Sequence, residues 1–285
     1  MRRWLRVVGV VVLGALFLAG CGSDAAQPAD AKLQITVSIL PQTFFVERIG
    51  GEQVEVNVMV LPGESPATYE PSPAQLRALS DADAYVSIGV PFERAWLDRI
   101  ASANDAMVMV DTTEGIERMG TAENPDPHIW LSPALVKVQA ETIYEALAAL
   151  DGAHADAYKE NLDAFIDDID ALDAEIRESL AGVERRRFMV FHPSWGYFAR
   201  DYGLEMIPIE VGGQEPSAAE MAKLIARAKE EGIEVIFAQP EFSTEAAETI
   251  AEEIGGEVLL ISPLAEDWLN NLRRVAETFA RQLGD

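Results

Sequence analysis

The feature that most constrains this chain is the stretch from Ala155 to Leu180. Its apolar residues recur at Leu162, Phe165, Ile166, Ile169, Leu172, Ile176 and Leu180, which puts them on one stripe of a helix, while Asp and Glu fill the opposite face. Neither Pro nor Gly interrupts it. At 1.5 Å per residue such a helix is about 40 Å long, the span of a whole small domain. Alternating strand-like and helix-like segments lie both before and after it. The spacing therefore predicts two lobes joined rigidly by one long helix, with a ligand held between them.

The first lobe, 33–150, carries short runs rich in Val and Ile at Leu33–Ile39, Val54–Leu61, Ala84–Ile88 and Met107–Asp111, read as buried strands. Between them Gln42–Ile49, Pro73–Ser80 and Phe92–Ala101 have helical spacing, and Pro133–Leu150 leads into the linking segment, 151–185. The second lobe, 186–285, repeats the plan, with strands predicted at Arg187–Phe191, Glu205–Ile209, Val235–Ala238 and Val258–Ile261. Strand, helix, strand in this order predicts an α/β fold in which each lobe has a parallel sheet flanked by helices. The lobes share architecture and no residue-level repeat.

The start of the chain is an address. Arg2, Arg3 and Arg6 precede an apolar run, Val7–Ala19, that is too short to span a bilayer comfortably, and Leu18-Ala19-Gly20-Cys21 closes it. That ending looks like a bacterial lipoprotein signal over 1–20, with Cys21 as the lipidated first residue and 21–32 as a flexible tether. An uncleaved anchor is the competing reading, and under either the body is exported. Cys21 is the only cysteine, which excludes an internal disulfide and a cysteine metal cluster. Removal of the signal leaves 19 basic against 48 acidic side chains, a net charge of −29. Nucleic acid and anionic lipid surfaces are poor partners for such a field, whereas a cation is drawn in. A solvated acidic surface is the plainer account of the same excess.

In open parallel sheets ligands sit beyond the carboxyl ends of the strands. His128 lies in the loop after the fourth predicted strand, His192 directly follows the fifth, and Asp267 lies a few residues after the last. Two imidazoles and a carboxylate converging on one cleft suit zinc, and with softer preference manganese or iron. Each has an ordinary alternative: a histidine packed beside Trp130 or Trp195, and Asp267 as a helix N-cap. His154, after Asp151-Gly152, reads as an exposed residue at a helix start. No Gly-rich phosphate loop, nucleophile elbow or HExxH helix is present, and no patterned general base supports a zinc hydrolase.

At these residues the chain resembles a known family. The segments VSILPQTFFVERIGGEQVEVNVMVLPGESPATYEPSP, DPHIWLSP, FHPSWGYFARDYGL, EPS at Glu215–Ser217 and SPLAEDWLNNL are together similar to the ZnuA/TroA-like receptors, solute-binding lipoproteins of bacterial zinc and manganese ABC importers, from Ile35 to Leu283. The resemblance implies a metal held in the inter-lobe cleft, delivery to an importer permease rather than catalysis, and a monomer on the extracytoplasmic side of the membrane. It matches His128 and His192 to the family's histidine ligands and places Asp267 near its C-terminal carboxylate. Zinc is the expected cargo; manganese, or a metal chelate in the same fold, is the alternative. One position departs: Ala67 stands in the PxTYEP motif where the family usually has histidine, and the His-rich loop of many zinc-type members is absent before DPH. Glu64, Tyr69, Glu70, Glu93 and Gln239 lie on or near the right loops to fill the gap, with nothing to choose among them.

Overall fold

Parallel pairing organises both halves of the chain. In the first, β1 (Leu33–Val37), α1 (Leu40–Gly50), β2 (Val54–Val58), α2 (Pro73–Ala78), β3 (Ala84–Ser87), α3 (Glu93–Ala101) and β4 (Val108–Asp111) build a sheet of order β2-β1-β3-β4. The helices α4 (Pro133–Leu150) and α5 (Ala155–Leu180) follow. In the second, β5 (Arg187–Val190), α6 (Gly196–Tyr202), β6 (Glu205–Pro208), α7 (Ala218–Glu230), β7 (Val235–Ala238), α8 (Glu245–Ile254), β8 (Glu257–Leu260) and α9 (Trp268–Leu283) give the order β6-β5-β7-β8. Every strand pair is parallel. This computed structural model describes residues 32–211 and 213–284, so the expected signal peptide and Cys21 lie outside the described residues. Among the described residues no helix is long and apolar enough to cross a membrane.

Strand order reverses between β1 and β3 in one sheet and between β5 and β7 in the other. A crevice opens at such a reversal, beyond the carboxyl ends of the strands. His192 lies two residues past β5, and Gln239 comes directly after β7. The topology thus delivers both to the same crevice.

The stripe on α5 is buried as its spacing requires, at Tyr158, Leu162, Phe165, Ile169, Leu172, Ile176 and Leu180, while Ile166 at the stripe's edge is half-buried. The helix packs against α1, α4, α6 and α9. One apolar core runs continuously from Val37 and Phe45 through Phe165 and Ile169 to Phe188, Phe237 and Phe279. Alternation along β5 sends Phe188 and Val190 into this core and Met189 and Phe191 into a second one, which joins Ile207 and Ile236 of the neighbouring strands to Ala247 and Ile250 of α8.

Tryptophans join the halves beneath the cleft. Trp268 meets Phe45 edge-on with centroids 5.3 Å apart and lies 6.4 Å from the Phe165 ring. Its indole N–H donates to the Trp130 carbonyl at 2.6 Å, and the Trp130 indole donates back to the Pro263 carbonyl at 2.7 Å. Among the described residues a shared core and a continuous helix leave no segment to act as a hinge. The radius of gyration from small-angle scattering should therefore be the same with and without bound ligand; a measurable contraction on loading would contradict this.

Candidate metal centre

His128 ends the loop that follows β4, just ahead of one 3₁₀ turn at Ile129–Leu131, after which Ser132 caps α4 by accepting from the Leu135 N–H. Asp126, two residues earlier, accepts through Oδ1 from the His128 backbone N–H at 3.0 Å and from its Nδ1 at 2.6 Å. The second half of the chain holds this loop in place. Tyr197 donates to the Asp126 carbonyl at 2.9 Å and accepts from the Met119 N–H at 2.8 Å.

His192 is fixed from four sides. Its Nδ1 donates to Glu210 Oε2 at 2.6 Å, and its backbone N–H and carbonyl are both engaged by the buried Gln239 side chain, at 3.1 and 2.7 Å. Phe242 stacks on the ring with centroids 4.6 Å apart. The Glu210 contact follows from register: β5 and β6 pair Val190 with Pro208, so two residues further on His192 and Glu210 stand side by side.

The imidazoles come from opposite halves and meet, with ring centroids 5.2 Å apart and Nε2 to Nε2 at 3.3 Å. A carboxylate facing each Nδ1 favours the tautomer that carries its proton there and turns the Nε2 atoms of the two rings toward each other as the ligating nitrogens. Burial holds the His128 imidazole below its ordinary value of 6.5, against the opposing pull of Asp126, so the ring is neutral and ready to ligate at neutral pH. A folded-state pKa below the unfolded one means that the unfolded chain takes up protons first as pH falls. The ligand-free protein should keep its full stability above about pH 6.5 and lose this contribution below it. Denaturation midpoints measured between pH 8 and pH 5 check this; a rise toward acid would reverse the assignment.

A cavity of about 470 Å³ surrounds the pair, reaching Ala67 and Arg94 in the first half and Met206 and Glu210 in the second. Asp267 is not brought there. It is exposed, outside the cavity wall, and caps α9, accepting from the Asn270 backbone N–H at 3.4 Å and from Asn270 Nδ2 at 2.8 Å. Its carboxylate satisfies the helix end, which is the alternative its position left open. His154 sits at the start of α5, bonded to Asp151 at 2.6 Å. Of the loop candidates, Glu93 is buried in its own network with Ser38 Oγ and the Ile88 and Gly89 N–H groups, Tyr69 is buried and donates to Gln75, and Glu64 and Glu70 are exposed. Gln239 serves the His192 backbone. The neighbours of the two rings that sequence reasoning missed are Asp126 and Glu210. The Glu241 carboxyl accepts from Ser262 at 3.3 Å and is pushed above the ordinary carboxylate range by burial, with His192 pulling the other way.

Two sheet-based lobes clasped by one unbroken helix, with paired imidazoles presented from both sides of the cleft, define a substrate-binding receptor of the rigid-helix class. The chain belongs to the family described as zinc-uptake complex component A, periplasmic, whose model matches residues 35–282. It is 29% identical over 284 residues to the high-affinity zinc uptake system protein ZnuA of Bacillus subtilis (strain 168), covering 90% of this chain and 88% of that protein. Among solved structures, a crystal structure of ZnuA is 50% identical with a TM-score of 0.86, over 88% of this chain and 99% of that one. A ZnuA deletion mutant with zinc bound is 49% identical with a TM-score of 0.85, over 89% and 99%.

Proposed function

We propose that this protein captures a divalent transition metal, zinc before manganese, outside the cytoplasm and delivers it to the permease of an ABC importer, with His128 and His192 as ligands. The observation that carries the reading is the Nε2 separation of 3.3 Å. Two Zn–N bonds of about 2.0–2.1 Å at a tetrahedral angle put their nitrogens about 3.3–3.4 Å apart, so the pair is already spaced for one ion. Membership of the zinc-uptake family and the zinc-bound relative support the same cargo. Imidazole nitrogen favours zinc, whereas manganese prefers more oxygen. Membership of the zinc-uptake family supports the role of a receptor rather than an enzyme, with Asp126 and Glu210 orienting the imidazoles. A lipid anchor at Cys21 would keep a monomeric receptor at the membrane face where the permease sits.

Metal analysis of the protein purified without added metal, followed by competition titration, tests this. One zinc per chain, bound in preference to manganese, is the expected result. Failure to bind zinc, or a preference for manganese, would overturn it.

A further inference from the structure

The cleft is much larger than an ion requires. It holds about 470 Å³, whereas a water molecule occupies about 30 Å³ and small-molecule sites begin at about 300 Å³. Donors are scarce in it. His128 and His192 offer one nitrogen each, Asp126 and Glu210 are turned to the Nδ1 side of those rings, and among the described residues no group of three His, Cys, Asp or Glu is arranged to hold an ion. At Ala67 the wall offers only a methyl group, and Val90, Pro91, Met119, Met206 and Phe242 make much of the remainder apolar. Tetrahedral zinc thus has two positions to fill.

The wall also carries a cation. Arg94 is exposed, donates to Asn124 Oδ1 at 3.1 Å, and makes no ion pair among the described residues of this strongly acidic chain. Its guanidinium matches carboxylate in geometry, so the wall offers a carboxylate-bearing ligand a partner beside the metal-binding pair.

We propose that the species captured is zinc together with a small amino-carboxylate co-ligand of amino-acid size. Its amino nitrogen, which gives up one proton to solvent on binding, and one carboxylate oxygen complete the shell begun by His128 and His192, and its other carboxylate oxygen is held by Arg94. The inference rests on the zinc reading above and names what travels with the ion.

Glycine is the probe, and imidazole, a nitrogen donor without a carboxylate, is the control. In a non-coordinating buffer at controlled free zinc, glycine should tighten zinc binding about tenfold or more, and imidazole should not match it. Arg94→Gln should remove most of the glycine gain. Ala67→His, which adds a nitrogen donor from an exposed loop on the cavity wall, should tighten binding of zinc alone and abolish the response to glycine. No gain with glycine, an equal gain with imidazole, or a gain that survives Arg94→Gln would overturn the co-ligand. The two readings fail separately. Zinc that binds alone, is lost in His192→Ala and ignores glycine leaves the receptor and rejects the co-ligand; zinc that binds under neither condition rejects the receptor itself.

Discussion

Replacing His192 with alanine is expected to weaken zinc binding roughly 100-fold to 1,000-fold. Four-ligand zinc sites gain about 10–16 kcal/mol on binding, so each ligand contributes about 3 kcal/mol, and every 1.4 kcal/mol is tenfold in affinity. His192 supplies one of the two nitrogens that face the ion, and its loss also strips Glu210, whose side chain is only 8% exposed, of the partner that holds it. Two measurements check the prediction. Competition titration should show the fall in affinity, and the zinc-dependent rise in melting temperature, which scales with the logarithm of ligand concentration over Kd, should vanish. Binding that stays within about threefold would remove His192 from the site.

Trp268→Ala is expected to cost about 3–5 kcal/mol of stability, the range for emptying a large aromatic position. Its ring fills the space between Phe45 on α1 and Phe165 on α5, so the void would open at the joint between the halves. The substitution also strands the Trp130 carbonyl that the indole N–H now satisfies. Trp268→Phe separates the contributions: it keeps much of the packing and loses the hydrogen bond, for about 1–3 kcal/mol. Because the Trp130 ring lies 5.1 Å from that of His128, both variants should weaken zinc binding as well as stability. Urea unfolding gives the first quantity and competition titration the second. A loss below about 1 kcal/mol in the alanine variant would mean that the joint does not hold the halves together.

The elements that were legible in the sequence are those whose burial is periodic. The helix Ala155–Leu180 and the one at Pro133–Leu150 have the predicted ends, because apolar spacing and the Ser132-Pro133 start are local signals. Strands were read too long, by Met59, Val60 and Leu61 after β2 for example. Met59 and Val60 are buried, and an apolar run reports burial rather than the end of a strand. Tyr158, one turn before the predicted stripe on α5, extends it: the ring is buried and the hydroxyl donates to Asp151 at 2.9 Å.

At the site, the histidines were legible because strand ends in a parallel sheet point to one place. Their carboxylate partners were not. Glu210 stands beside His192 only through the pairing of Val190 with Pro208, and register between strands separated by a helix is not written in either strand alone. Asp126 was nearer to view, two residues before His128, but its reach to Nδ1 depends on a turn that Tyr197 pins from across the cleft. Asp267 shows the converse: residue type and position suited both a ligand and a cap, and the first turn of α9 took it.

The core that runs unbroken from Phe45 to Phe279 bears on kinetics as well as shape. A receptor that opens on a hinge can shed its cargo through a conformational equilibrium, with dwell time set by how often the lobes part. Without that route the ion leaves one coordination bond at a time, and an incoming donor must enter its shell before an imidazole lets go. Residence time on this protein would then depend on the supply of competing donors at the mouth of the cleft, so that handover is an exchange of ligands rather than the opening of a gate.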